Sequence, residues 1–229
     1  MATGAHMRMD TDTPPMRIEA ALILSQWFSP AYPVGGFAYS HGLETVVQDG
    51  TLRSAAALRV WLEDVLLHGS GRNDAILLGA AWRARSQAET DRIDATARAF
   101  AASAERLRES ALQGAAFART TAALTGHDIA ALTYPVAVGR AAGLAGLPLE
   151  PTVAMFLQGV MSNLVSTAVR LVPLGQTEGQ AVLAHLSPLC ARVAAQTAGL
   201  TPEDMTSTAF LSDIAAMRHE TLTTRLFRS

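Results

Sequence analysis

The sequence predicts an all-α fold, a single-domain helical bundle with short connections. Apolar residues recur with the 3.6-residue period of a helix, and no long stretch alternates apolar and polar residues as a strand would. The 229 residues are 49% hydrophobic, which is enough to bury one substantial core. We therefore expect one helical domain over residues 18–229, preceded by a polar leader at residues 1–17 that is predicted to be disordered.

Nine segments carry the helical period. In one of them Leu58, Leu62 and Val65 recur at i, i+4 and i+7, so that they form one apolar stripe. Clusters of glycine and proline, such as the one at residues 29–36, separate neighbouring segments. The predicted helices cover residues 18–28, 55–68, 74–86, 95–124, 135–143, 151–171, 177–186, 189–198 and 212–226.

Composition and charge narrow the classes of partner. The formal net charge is −2, and arginine is not concentrated on one segment, so nucleic acid is not an expected partner. Residues 153–172 form the most apolar stretch, but Gln158, Ser162 and Asn163 interrupt it, so no membrane span is expected. Charged residues make up 17%, against roughly 25% in an ordinary soluble domain. This favours an apolar interface, although alanine-rich helices lower the charge fraction without any partner.

Several catalytic and metal-binding classes are excluded or disfavoured by residue type. The chain contains no lysine, so it has neither a phosphate-binding P-loop nor a lysine Schiff base. The six histidines show no paired spacing typical of a metal site, and Cys190 is a lone cysteine in an apolar segment. We expect no catalytic residue, no metal ligand set and no cofactor.

The segment at residues 29–45 is unusually rich in aromatic residues and glycine. Phe37, Tyr39, His41 and Glu44 lie in a turn that leads into a new helix. One interpretation is a corner between helices that is filled by aromatic side chains. The other is a rigid loop that presents Tyr39, His41 and Glu44 to a partner, because aromatic residues are favoured anchors at interfaces. The residues alone do not separate these two interpretations.

The last predicted segment, residues 217–229, is unusual for a chain end. It carries Leu226 and Phe227 between Arg225 and Arg228, whereas terminal residues are usually polar and frayed. Large apolar side chains at this position are expected to dock, either on the core of the same chain or on another chain.

Three segments together resemble the UreF family of urease accessory proteins. Residues 29–37 with Ser40-His41-Gly42-Leu43-Glu44 are similar to the amino-terminal signature of that family. Residues 168–177, followed by Gly179-Gln180, are similar to its central signature. His219-Glu220-Thr221 with residues 225–229 is similar to its carboxyl-terminal signature. Three motifs in the right order are far more specific than a single match.

The resemblance implies an all-helical, cytoplasmic homodimer that is not an enzyme. It implies assembly with UreD (also called UreH) and the GTPase UreG on apo-urease, where UreF bridges UreD and UreG during nickel insertion. Two departures bear on polar contacts: residues 222–224 read Leu-Thr-Thr where the family commonly has Gln-Tyr-Ser, and Arg170 replaces a residue that is often lysine. The residues expected to bind partners are Phe37, Tyr39, His41, Glu44, Arg170, Gln176, His219, Glu220, Arg225, Leu226, Phe227 and Arg228.

Two other functional classes remain open from the sequence. One is a regulator that stimulates GTP hydrolysis by UreG with an arginine finger, for which Arg170, Arg225 and Arg228 are candidates. The other is a helical ligand-binding domain with a small-molecule pocket. A tightly packed interior would count against this second class.

Overall fold

The architecture was obtained from a computed structural model of the full chain, which describes residues 16–227. In that range the chain forms ten α-helices and two short 3-10 turns, with no β-strand, so the predicted all-α class is confirmed. The leader predicted at residues 1–17 lies almost wholly outside the described residues. The helices are α1 Ile18–Trp27, α2 Leu43–Gln48, α3 Ala55–His68, α4 Ser70–Arg83, α5 Gln87–Ala99, α6 Ala104–Thr125, α7 Tyr134–Leu144, α8 Leu149–Leu171, α9 Gln176–Thr197 and α10 Phe210–His219.

The helices pack around one core that draws on every large helix. The closest pairings are α4 with α7, α8 with α9, α6 with α7, and α3 with α9. Glycine permits the closest of these approaches, since a Cβ on Gly139 of α7 would lie 2.2 Å from the carbonyl oxygen of Leu78 on α4. Phe117 and Phe156 are fully buried near the centre, where Trp27 packs edge-on against Phe117.

Helix α8 is long and largely apolar, and it packs within this core. By length and composition it is the one helix in the described chain that could cross a membrane, and half of its most apolar window is buried inside the protein. Buried core helices of water-soluble proteins share these properties. Polar Gln158 and Asn163 lie on the same helix.

Several of the predicted helix boundaries were wrong, among them the start at residue 74, because α4 begins at Ser70, and the start at residue 95, because α5 begins at Gln87. The helix predicted at residues 95–124 is two helices, because the side chain of Ser103 accepts a hydrogen bond from the backbone N–H of Arg106 and begins α6 there. The helices predicted at residues 177–186 and 189–198 are one helix, α9, which continues through Pro188. The last helix ends at His219 rather than at residue 226.

The connections are not uniformly short. Residues 28–42 join α1 to α2 through a 3-10 turn at Gly36–Ala38, and residues 198–209 join α9 to α10 through Pro202–Asp204. The short helix α2 was not predicted from the sequence. Its six residues are too few for a periodic signal, and it is stabilised by packing on α10.

Candidate partner-binding site

Three stretches that are distant in sequence meet on one surface. They are residues 36–45 before and within α2, residues 167–170 at the end of α8, and residues 219–227, which begin with the last residue of α10. We call this surface the three-segment junction. Parts of all three stretches belong to the segments that stand out in the sequence, and the structure brings them together.

The turn before α2 positions the first stretch. Gly42 has a φ of +79°, and a Cβ at this position would lie 2.7 Å from the backbone nitrogen of Ala216, so α2 starts directly against α10. His41 is the only non-glycine residue with a positive φ, +52°, in the described chain, a conformation that is uncommon for such residues. Thr45 reinforces the contact, since its hydroxyl donates to the carbonyl of Ala215 at 3.1 Å.

Glu44 is the centre of the junction. Its side chain is 2% exposed. Its carboxylate accepts hydrogen bonds from the backbone N–H groups of Leu226 at 2.7 Å and Phe227 at 3.1 Å. Nε2 of His219 lies 3.3 Å from the same carboxylate. The tail is therefore held on its own domain by a buried carboxylate, which is one of the two docking arrangements expected from the sequence.

A second carboxylate, Glu105 of α6, binds the other side of the tail. The Nδ1 atom of fully buried His219 lies 2.7 Å from Glu105, and Arg225 donates to the other oxygen of Glu105 at 2.5 Å. Arg225 also donates to the carbonyl oxygens of Glu220 at 2.6 Å and Leu222 at 2.9 Å. Arg225 thereby holds the chain in a turn after the end of α10.

Glu220 joins the tail to the start of α6. Its side chain accepts hydrogen bonds from the backbone N–H groups of Ala104 at 2.8 Å and Glu105 at 3.3 Å. These two N–H groups lie in the first turn of α6 and have no partner within the helix. A carboxylate at this position is favoured by hydrogen bonding and by the helix dipole.

Arg170 connects α8 to both other stretches. Its guanidinium donates to the carbonyl oxygen of Phe37 at 3.1 Å and to the hydroxyl of Thr167 at 3.2 Å. Its central carbon lies 4.5 Å from the centre of the Phe227 ring, a cation–π contact. The side chain of Phe37 remains 66% exposed.

Behind the junction, the side chain of His41 contacts a buried ion pair on α6, formed by Arg106 and Glu109. Its Nε2 lies 2.8 Å from Glu109, which is paired with Arg106. Burial and the nearby charge of Arg106 lower the pKa of His41, so the ring is neutral at pH 7. The pKa of Glu109 is also lowered, because Arg106 and His41 outweigh the effect of its burial. His41 thus anchors the turn to α6 rather than facing a partner.

The outer face of the junction combines basic and apolar side chains. An open hollow of about 390 Å³ is lined by Arg108, Leu112, Arg225 and Phe227 together with Tyr39 and the two glutamates of α6. Leu112 is 49% exposed and Leu226 is 77% exposed, so both present apolar surface next to exposed arginines. A surface of this composition suits a protein partner.

The remaining predicted site residues have different surroundings. Tyr39 is buried, and its carbonyl accepts from Thr167 at 3.4 Å, so its role in the chain is packing. Gln176 is exposed at the first residue of α9, and its side chain makes no hydrogen bond to any described residue. Arg228 lies outside the described residues.

Sequence reasoning missed Glu105, Arg106 and Glu109. They lie on α6 at ordinary charged-surface spacing, and their partners are 65 to 120 residues away in sequence. A weak signal was present, since Glu109 and Gln113 fall on the same helical face as buried Phe117. In the described part of the chain no group of three metal-ligating side chains is close enough to hold a metal ion.

Comparison with known proteins agrees with the resemblance seen in the motifs. A model of the UreF family matches residues 52–187. The chain is 53% identical over 208 residues to the urease accessory protein UreF of Ruegeria pomeroyi, which covers 91% of the chain and 96% of that relative. It is 53% identical over 214 residues to the protein of the same name from Roseobacter denitrificans, covering 93% and 96%.

A third relative extends the match over nearly the whole chain. The urease accessory protein UreF of Paracoccus denitrificans is 47% identical over 222 residues, which covers 96% of this chain and all of that relative. Identities of this size over almost the full length, together with a family match across the central helices, assign the chain to one protein family. The chain belongs to the UreF family of urease accessory proteins.

Proposed function

We propose that the chain is a non-enzymatic, cytoplasmic scaffold that bridges UreD (UreH) and the GTPase UreG during nickel incorporation into apo-urease. One observation supports the proposal: part of each of the three signature segments, residues 36–44, 168–170 and 219–227, lies in the three-segment junction. Inside the junction, carboxylates hold the backbone of the tail. Outside it, exposed apolar side chains remain available for a partner.

The charge of the junction selects the kind of partner. Arg108, Arg170 and Arg225 are exposed at the junction, and because Arg225 is paired with Glu105, Arg108 and Arg170 are the basic side chains that a partner would meet. Complementary charge speeds encounter and disfavours wrong partners, so an acidic patch with an apolar centre is the complementary surface. We assign this surface to UreD, because the tail is the element that a bound partner would cover.

Deleting residues 225–229 tests this assignment. The truncated chain should stay folded, because Leu226 is 77% exposed and contributes little to the core, but it should no longer capture UreD. A more specific test compares two single substitutions, Leu226→Asp and its control Val60→Asp. Val60 is a suitable control because it is also exposed, at 58%, but lies on α3. Leu226→Asp should abolish UreD capture, whereas Val60→Asp should not. Wild-type capture of UreD by Leu226→Asp would refute the assignment.

The proposed homodimer has a separate candidate face. Ile18 and Leu22 of α1 and Leu124 of α6 are 71%, 66% and 61% exposed. Leu22 and Leu124 line an open groove of about 540 Å³ whose lining contains no charged residue. A two-fold contact places identical groups near one another across the axis, so a neutral apolar face tolerates it better than the arginine-rich junction does.

Light scattering of Leu22→Glu tests this face, with Val60→Glu as the matched control. Leu22→Glu should be monomeric at micromolar concentration, and Val60→Glu should remain dimeric. A monomeric wild-type chain would refute the dimer, whereas a dimeric Leu22→Glu variant would refute only the choice of face.

The arginine-finger alternative is less favoured by the contacts. Arg170 is engaged with Phe37, Thr167 and Phe227, and Arg225 is engaged with Glu105. Either residue would have to leave these partners to reach a nucleotide. If Arg170→Ala abolished stimulation of GTP hydrolysis by UreG while the complex still formed, this alternative would replace the scaffold proposal.

A further inference from the structure

His219 links the two carboxylates that hold the tail. Its Nδ1 lies 2.7 Å from one oxygen of Glu105, and its Nε2 lies 3.3 Å from one oxygen of Glu44. The other oxygen of Glu105 binds Arg225, and the other oxygen of Glu44 accepts from a tail backbone N–H, that of Leu226. The side chain of His219 is fully buried, so bulk water does not reach the ring. Each ring nitrogen therefore has a carboxylate oxygen as its partner.

This arrangement requires a proton on both ring nitrogens of His219. An ionised carboxylate only accepts hydrogen bonds, whereas a neutral imidazole has one nitrogen that donates and one that accepts. A neutral ring would therefore direct the lone pair of one nitrogen at a buried carboxylate. Both contacts are favourable only when the ring is doubly protonated and positively charged.

The charges of this cluster balance only when the ring is charged. Glu44 faces His219 from α2, Glu105 faces it from α6, and Arg225 reaches Glu105 from the tail. The two carboxylates carry two negative charges, and the guanidinium and the imidazolium carry two positive ones. Loss of the ring charge would leave a buried carboxylate without its cation, which is strongly unfavourable.

The other charged groups around the end of α10 are engaged or exposed. The helices that pack most closely on α10 are α2 and α6, and Glu44 is the only charged residue of α2. On α6, Arg106 pairs with Glu109, and Arg108 is exposed to solvent, where its charge is screened. Glu220, the next residue in the chain, accepts from backbone N–H groups in the first turn of α6. The positive charge that balances the two carboxylates is therefore supplied by the tail arginine and the buried ring.

We propose that His219 is an imidazolium clamp for the tail, and that the tail undocks when the ring loses one of its two protons. The Nε2 proton leaves first, because the contact of Nε2 with Glu44 is the longer of the two. The Nε2 lone pair then faces the oxygen of Glu44 that also accepts from the backbone N–H of Phe227. Hydration of that carboxylate relieves the repulsion, and the tail is the cover that leaves most easily, since Leu226 is 77% exposed.

The direction of the pH dependence follows from the proton that is lost. The tail is docked while the ring holds both protons, and it is released as the pH rises and the ring becomes neutral. The inference concerns the isolated chain and does not depend on the partners proposed above.

Nitrogen NMR of the isolated full-length protein tests the charge of the ring without any substitution. While the tail is docked, both ring nitrogens of His219 should have the chemical shifts of protonated nitrogens. The backbone carbon resonances of Leu226 and Phe227, which do not exchange with water, report docking at every pH. As the pH is raised, they should move to unfolded-chain values with the same midpoint as the loss of the Nε2 proton.

Three results of this titration would overturn the proposal. One is a ring with a single proton while the tail is docked, as expected if Glu44 held the proton instead. Another is a tail that stays docked after the ring has lost a proton. The third is a ring that keeps both protons until the whole domain unfolds.

The substitution His219→Gln removes the ring charge and keeps a polar side chain. The docking equilibrium, measured from the same carbon resonances, should fall at least about tenfold and should no longer depend on pH where the wild-type ring titrates. His185→Gln is the matched control, because His185 also lies 2.7 Å from a glutamate, Glu63, but is 45% exposed on α9. This control should dock its tail as the wild type does. Wild-type docking in His219→Gln would also contradict the proposal.

Discussion

Replacing Glu44 with glutamine removes the negative charge that the tail amides bind, and it keeps the size of the side chain. Glu44 is 2% exposed, so water cannot replace a lost partner. The new carbonyl can accept from Leu226 or from Phe227, but the new amide group then faces the other backbone N–H. One of the two hydrogen bonds, at 2.7 and 3.1 Å, is lost, and the other becomes a bond between neutral groups.

The expected loss of tail-docking free energy follows from the two hydrogen bonds that Glu44 accepts. A hydrogen bond to a charged group contributes about 1.5 to 3 kcal/mol, and the surviving neutral bond contributes less than it did. We expect tail docking to weaken by about 2 to 3 kcal/mol, which corresponds to a decrease of about 30- to 150-fold in the docking equilibrium. The core should be little affected, because the apolar side chains of α2 stay in place.

Amide exchange at Leu226 and Phe227 measures this equilibrium directly. Protection of both amides should fall by that factor in Glu44→Gln. Glu63→Gln is the matched control, since Glu63 is 28% exposed and pairs on the surface with His185. The Glu63→Gln substitution should leave the exchange protection of the Leu226 and Phe227 amides unchanged. Equal protection in Glu44→Gln and the wild type would show that Glu44 does not hold the tail.

Three further predictions follow from the geometry. The folded-state pKa of Asp74, about 6, exceeds its ordinary value of 3.8, so its stabilising contribution is complete below pH 3.8 and is lost as the pH rises through 6. Between pH 4 and pH 7 the wild type should lose up to about 3 kcal/mol of unfolding free energy relative to Asp74→Asn, measured by urea denaturation; parallel pH profiles would contradict this. Gly139→Ala places a Cβ 2.2 Å from a backbone carbonyl and should destabilise by about 1 to 3 kcal/mol, whereas Gly159→Ala, with its nearest atom at 3.6 Å, should be neutral or stabilising; equal melting temperatures would contradict it. Arg225→Ala should weaken UreD capture less than deletion of residues 225–229 does, because the tail amides keep their bonds to Glu44; an equal loss in a titrated pull-down would contradict it.

Local patterns predicted the helices well where length and periodicity were both present. The helix predicted at residues 55–68 coincides with α3, and the end of α8 at residue 171 was also predicted. Errors arose where a single side chain decides a boundary. Ser103 begins α6 inside a continuous periodic stretch, and Pro188 lies within α9 although proline usually interrupts a helix.

The site was predicted only in part, because a motif identifies residues without giving their partners. Glu44, His219 and Arg225 lie in segments that stand out in the sequence, and the structure brings them together, but their binding to a partner stays a prediction. His41 was expected to face a partner, but its ring contacts Glu109 in the interior. Gln176 was grouped with the same site, yet it is exposed on α9 without a hydrogen bond to another described side chain. The sequence could not distinguish these cases, since burial depends on how helices pack.

The sequence by itself determined the helical class, the absence of lysine chemistry and the family, because these depend on periodicity, residue type and ordered motifs. Only the tertiary structure decided that Glu44 meets His219 across 175 residues, and that Glu105 and Arg170 complete the junction around the tail. It also decided that Asp74 and Arg106, on different helices, line the same two cavities. Contacts over such separations are set by the register and crossing of packed helices, and these arise from many weak side-chain contacts that no local pattern records.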